Sequence, residues 1–374
     1  MIKTRALEGD FLETHEGLIF DVKGLFHPQD RIIAYLRYIP ISFLDPGCDH
    51  IPQLRLKQLK KLLDQKFAIQ FEDIRQAEEV YVKLYDINSR FKILSQLKPD
   101  YIYQPIFYDF PLQAVPIKDV KTIHAPEMFL QKILTTTLDQ SLKNLIDFIL
   151  KGGNIPLSHI GLSGSYMVGL STKKSDYDLI VYGENESNRV HSFLRGKFSL
   201  SDKFTTDSSV IQSYRGRSLR KLVKLRWQGF SSSYRMQKKM EIQKIHQFLI
   251  DGKDVFIRFI EIHRTDEKFL NFDDLAFKTL GRICLQGVVI DDSRSFFTPG
   301  QYSLKITDLY SQNSSITEPT IDVFTMRGRF LEQARKGDLV RVQGKLEQVS
   351  NRRSKTTSLR IVLGTDSQDS MIQT

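Results

Sequence analysis

The chain has 374 residues, of which 41% are hydrophobic and 11% aromatic, enough for packed cores in two or three domains. No apolar run approaches the roughly 20 residues that cross a bilayer as a helix, and the opening MIKTRALEGDFLE lacks the apolar stretch of a secretory signal, so a cytoplasmic protein with no membrane partner is expected. Cys48 and Cys284 form no CxxC pair and the eight histidines show no HExxH spacing, which removes the common zinc and redox motifs. The net charge of +10 favours polyanionic partners. Residues 1–125 hold 17 basic and 17 acidic side chains, residues 126–274 hold 23 and 17, and residues 275–374 hold 14 and 10.

In chain order, residues 11–40 read as a β-hairpin: GLIFDVKGLF is rich in strand formers, HPQD is a turn, and RIIAYLRYIP alternates. HIPQLRLKQLKKLLDQK, residues 50–66, has leucines at helical spacing and a lysine-rich outer face. A mixed segment over 74–97 contains the strand-like VYVKLY, and Pro99, Pro105, Pro111 and Pro116 then punctuate an extended stretch. Residues 1–125 therefore make an N-terminal α+β module with no catalytic motif.

Residues 126–151 are expected to form one helix, with Pro126 at the first position, Glu127 in the first turn and Gly152-Gly153 as the stop. Phe129, Ile133, Leu138, Leu142, Leu145, Ile146 and Ile149 give its apolar stripe. A short strand leads through IPLSHIGLSGS, and helix resumes from Asn188. VFIRFIEI, residues 255–262, is a strand suited to lie beside the one that starts near Asp176. Residues 275–365 read as five or so short strands, and RKGDLVRVQGKLEQV suits a small barrel of the OB type. The tail 366–374 is polar and expected to fray.

The richest chemistry lies in GLSGSYMVGLSTKKSDYDLIVYG, residues 161–183. In a strand, Asp176 and Asp178 share one face while Tyr177 takes the other. Two carboxylates side by side repel unless a cation sits between them, and a Gly-Ser turn just before them offers N–H groups and a hydroxyl to a phosphate. Gly164-Ser165, ten residues, then Asp176-x-Asp178 resembles the signature of the nucleotidyltransferase superfamily with the DNA polymerase β fold, and the wording is similar to that of archaeal polymerase-β-like nucleotidyltransferase domain proteins.

The resemblance implies an α+β fold with a polymerase-β-like core over 126–270. It implies transfer of a nucleoside monophosphate from an NTP, ATP as first candidate, to an acceptor hydroxyl. Asp176 and Asp178 would bind Mg²⁺ or Mn²⁺, and Gly164 and Ser165 the β- and γ-phosphates. Lys173 and Lys174, in the loop between, could neutralise triphosphate charge. A third acid from a neighbouring strand would be Glu261, on the face opposite Arg258, or Asp254, reaching from the strand's edge, and Arg258 would reach a phosphate if its own face is the one turned to the site.

Residues 215–244 hold ten basic side chains against one acid, Glu241. Arg215, Arg217, Arg220, Lys221, Lys224 and Arg226 read as a phosphate-tracking surface for RNA, tRNA or DNA, with Trp227, Phe230 or Tyr234 stacking on a base. The alternative is a non-catalytic nucleotide- or RNA-binding protein that keeps the same fold.

Overall fold

The computed structural model describes residues 5–40, 43, 75–76, 79–136, 139–206, 208–230, 232–265, 271–310, 316 and 318–374. The helix expected over 50–66 lies outside the described residues. Two compact units divide the chain. One comprises Met1–Thr136, Ile160–Tyr177 and Arg264–Asp273, and the other Thr137–His159, Asp178–His263 and Asp274–Thr374.

The first unit is built on a mostly antiparallel sheet. Strands β1 (Phe11–Thr14), β2 (Ile19–Val22) and β3 (Arg31–Pro40) follow one another, and β2 pairs antiparallel with both neighbours, so the hairpin pattern is realised. β4 (Arg75–Gln76) and β5 (Glu79–Lys83) precede helix α1 (Ile87–Leu97), where the Asp86 carboxylate caps by accepting the Ser89 N–H. The proline-punctuated stretch supplies β6 (Ile102–Tyr103), β7 (Leu112–Pro116) and β8 (Val120–His124). The sheet order is β4-β5-β3-β2-β1-β8, with β7 pairing to β3 and β6. Phe20, Leu36, Ile39 and Val115 from the sheet bury against Ile93 and Leu94 of α1.

The single helix expected over 126–151 is two: α2 (Pro126–Ile133), in the first unit, and α3 (Gln140–Gly153), in the second. Thr135 and Thr136 turn their hydroxyls back onto the carbonyls of Lys132 and Ile133 at 2.7 and 2.9 Å, which competes with helix continuation. Asp139 then opens a new helix by accepting the Ser141 N–H at 3.0 Å. β9 (Ile160–Leu162) and α4 (Gly164–Met167) belong again to the first unit. The return segment at Arg264 is tied to this unit by ion pairs to Asp10 at 2.7 Å and Glu127 at 2.5 Å. Burial pushes the Asp10 carboxyl up to about 6 against the pull of Arg264.

β10 (Tyr177–Tyr182) leads into the second unit, followed by α5 (Glu184–Leu200), β11 (Lys203–Thr206), β12 (Ser209–Gln212), α6 (Gly216–Arg226), α7 (Tyr234–Ile242), β13 (Gln247–Ile250) and β14 (Lys253–Ile260). The order across this sheet is β11-β12-β13-β14-β10. Gly152 and Gly153, expected to stop α3, sit inside it because α5 packs there; a Cβ on Gly152 would lie 2.0 Å from the Phe193 ring. Asn154, in the left-handed region at φ 48°, ends the helix instead.

Residues 275–374 form a closed five-stranded barrel with a sixth strand added. β15 (Leu275–Asp291), β16 (Gly300–Leu309) and β17 (Thr320–Thr325) pair antiparallel in turn. β17 pairs parallel with β19 (Thr356–Leu363), β19 antiparallel with β18 (Leu339–Asn351), and β18 closes the ring on β15. Leu285, Leu304, Val323, Val342, Leu346 and Ile361 fill the interior. The tail does not fray. β20 (Ser370–Gln373) pairs with β18, and the buried Asp369 carboxylate accepts the N–H groups of Gly364, Thr365 and Asp366 at 2.8, 2.8 and 3.0 Å while pairing with Arg282 at 2.7 Å.

Asp369→Ala should strand those three donors and lower stability by about 2–3 kcal/mol, read as a shift of the urea midpoint of the full chain at unchanged slope. A midpoint equal to wild type would show that the carboxylate holds nothing in place.

Candidate functional site

In the first unit the turn from β9 into α4 carries Gly164-Ser165. Gly164 sits at φ 69°, where a side chain is strained. Ser165 is buried, and the preceding Ser163 hydroxyl donates to the Gly9 carbonyl at 2.6 Å. Gly161, which the motif reading passes over, is equally constrained: a Cβ there would lie 2.6 Å from the backbone of Pro126 and Glu127. Downstream, the Thr172 N–H donates to Ser175 Oγ at 2.8 Å and the Ser175 N–H to the Thr172 carbonyl at 3.0 Å, closing a turn. Lys173 and Lys174 are exposed in that turn, and Asp176 is exposed just after it.

Tyr177, the first residue of β10, is fully buried. Strand alternation therefore turns Asp178 to the opposite face, while Asp176 lies just before the strand begins. Asp178 is half-buried.

In the second unit β14 lies next to β10, and the Gly183 N–H, just past the end of β10, donates to the carbonyl of Ile260, the last residue of β14, at 2.9 Å. Neighbouring strands joined at their C-terminal ends run parallel. An unbroken parallel register carried back from this bond sets Asp178 beside Phe256 and on the same face as Asp254, two residues earlier. The burial of β14 agrees: Val255, Ile257 and Phe259 are buried, whereas Asp254, Phe256 and Arg258 are not.

The two candidate third acids are thereby separated. Asp254 is exposed at the same end as Asp178 and accepts a hydrogen bond from the Tyr214 hydroxyl. Glu261 lies beyond β14, with the opposite parity, and is held in an ion pair by Arg294. Arg258 lies half-buried on the Asp254 face. Among the described residues, no three His, Cys, Asp or Glu side chains stand close enough together to hold a metal ion.

The basic segment splits into two classes. Arg217, Arg220, Lys221 and Lys224 are exposed on α6 at spacings that share one helix face, and among the described residues none forms an ion pair. Arg235, Lys238 and Lys239 are exposed on α7. The others have structural work. Arg215 pairs with Asp202. Arg226 lies 3.6 Å and Lys244 2.8 Å from the buried Glu241. Burial pushes the Glu241 carboxyl up, but Lys244 and Arg226 outweigh it and hold the group at about 2. Trp227 is buried against Phe230 and Phe330 and donates its indole N–H to Glu241 at 2.8 Å. It is thus a core residue; the stacking role expected of it has no surface to act from.

The chain is similar to an uncharacterized protein of Methanocaldococcus jannaschii, 25% identical over 368 residues, which covers 95% of this chain and 94% of that relative. No family model matches the chain, and no solved structure matches it.

Trp227 is the only tryptophan, so its environment can be read directly. The intrinsic emission should be blue-shifted and resist acrylamide quenching, and Trp227→Phe should cost about 1–3 kcal/mol by leaving Glu241 short of a donor. Red-shifted emission quenched as readily as free tryptophan would contradict the buried placement.

Proposed function

We propose that this chain is a nucleotidyltransferase of the polymerase-β type, which moves a nucleoside monophosphate from an NTP, ATP as first candidate, to a hydroxyl of an RNA or tRNA acceptor and releases pyrophosphate. The observation that carries the reading is the shared face and shared strand end of Asp178 and Asp254 on parallel neighbours. Asp176 and Asp178 offer an oxygen-only donor set of the kind Mg²⁺ prefers. Two such ions would lower the pKa of the attacking hydroxyl and neutralise charge on the departing pyrophosphate.

The remaining roles fall to the chain. Gly164 permits close approach of a phosphate, Ser165 supplies a hydroxyl, and Lys173 and Lys174 add positive charge in an exposed turn. Asp254 accepts the proton of the acceptor hydroxyl, and Tyr214, by donating to it, fixes its orientation. Glu261 drops out of this role because Arg294 holds it. The exposed cations of α6, which form no ion pair among the described residues, suit a polyanionic acceptor. A second reading, nucleotide or RNA binding without transfer, draws support from the lack of a three-carboxylate cluster among the described residues.

Labelled NTP incubated with the protein, Mg²⁺ or Mn²⁺ and cellular RNA separates the two. Transfer should vanish in Asp176→Asn with Asp178→Asn, fall about 10²–10⁴-fold in Asp254→Asn, and stay within a few-fold of wild type in Glu261→Gln. Label incorporated equally by the double aspartate variant would end the site assignment, and NTP binding with no incorporation under any condition would select the second reading.

Replacing Arg217, Arg220, Lys221 and Lys224 by Ala should weaken binding of single-stranded RNA and flatten the plot of log affinity against log salt by up to about 3 units, at ~0.7 for each phosphate no longer neutralised. An unchanged slope would mean that this helix face meets only solvent.

A further inference from the structure

The first unit contains a cleft of about 340 Å³ that the proposed chemistry leaves unused. Small-molecule pockets span about 300–1,000 Å³, so the volume suits a compact ring system. Its walls carry three aromatic side chains from separate elements: Tyr81 of β5, Phe129 of α2 and Tyr166 of α4. Met167 and Val168, buried with Phe11 and Ile19, give it an apolar base. The turn that places Tyr166 and Met167 here is the one that begins with Gly164-Ser165.

One edge of the cleft is polar and acceptor-rich. Glu13 of β1 holds Lys121 at 2.7 Å through one oxygen and His124 Nε2 at 3.2 Å through the other. The hydrogen bond from His124, with help from Lys121, holds the Glu13 carboxyl at about 2, so it is ionised at neutral pH. An ionised carboxylate only accepts, so His124 must donate from Nε2. In the neutral ring this leaves Nδ1 as a lone-pair acceptor. Among the described residues nothing donates to Nδ1. The side chains of Glu13 and His124 are 22% and 26% exposed, which leaves this edge open to a ligand.

We infer that this cleft takes the base of a nucleotide, with Phe129 and the tyrosines against its faces and His124 Nδ1, backed by Glu13, accepting from an exocyclic amine. The inference rests on the reading that the chain binds nucleotides, and it deepens it by naming the base class. Adenine and cytosine present an amine and fit the acceptor edge. Uracil presents carbonyl oxygens there and would leave His124 Nδ1 without a donor, a mismatch that discriminates strongly when it is shielded from water.

The test is equilibrium binding of free nucleosides to the full chain at pH 8, which needs neither phosphate nor metal. Adenosine and cytidine should bind about tenfold or more tightly than uridine. His124→Phe, which keeps an aromatic ring, should erase that preference. Phe129→Leu should weaken all three nucleosides alike. Melting temperatures of the variants near wild type exclude misfolding, and Glu13→Gln, with the preference reduced but the cleft filled as before, serves if His124→Phe does not fold. Uridine binding as tightly as adenosine, discrimination that survives His124→Phe, or no binding at millimolar nucleoside would each overturn the inference. Comparing ATP with adenosine separates donor from acceptor: tighter ATP binding assigns the cleft to the donor base, and equal binding with tighter capture of RNA ending in A or C assigns it to the acceptor end.

The two proposals fail separately. Nucleoside discrimination in a protein that transfers no label keeps the cleft and removes the transferase. Active transfer with base preference untouched by His124→Phe does the reverse.

Discussion

A single buried carboxylate, Glu332, organises the second unit. It is fully buried at φ 53° and accepts from His191 Nε2 at 2.7 Å, His246 Nδ1 at 2.6 Å and the backbone N–H groups of Ile245 and His246 at 2.8 and 3.1 Å. Burial alone would push this carboxyl up, but the histidine hydrogen bonds outweigh it and hold the group well below its ordinary range. The donors come from α5 and from the approach to β13, and Glu332 itself lies in the loop before β18, so one side chain joins helix, sheet and barrel. A buried charge with this many donors fixes geometry more than it adds stability. Everything that depends on how β14 meets β10 inherits that geometry, because α5 and β13 flank the pair.

The sheet carries this rigidity to the carboxylates at the strand ends. β10 and β14 are held side by side and parallel, and a parallel register preserves which face each residue takes. Alternation then decides that Asp254, and not Glu261, accompanies Asp178. On the same unit, the exposed cations of α6 form no ion pair among the described residues, while Arg226 and Lys244 are consumed by Glu241. A sequence rich in lysine and arginine thus divides into a supporting set and an exposed set.

Much of this was legible in the residues alone. Strand formers and turns marked the β2–β3 pair, the five barrel strands were visible as short alternating runs, and a strand that begins at Tyr177 follows the Gly-Ser turn in the expected order. What escaped depended on partners far along the chain. The break between α2 and α3 comes from threonine hydroxyls that bond backwards, against a hydrophobic stripe that runs on. The two glycines of α3 looked like a stop and are instead a close approach to α5. Trp227 sat among arginines in sequence, but Glu241 and Phe330 draw it inward. The choice between Asp254 and Glu261 required one backbone bond, Gly183 to Ile260, and one distant ion pair to Arg294, neither of which periodicity can report.

The last strand has a consequence of its own. Over Val340–Gln343, β18 meets β15 on one side and β20 on the other, whereas from Lys345 onward β19 takes the second side. β20 therefore covers the one stretch of β18 that the ring would leave unpaired. An uncovered strand edge is a template for pairing with other chains. Asp369, by gathering the turn that precedes β20, holds in place the strand that covers this edge.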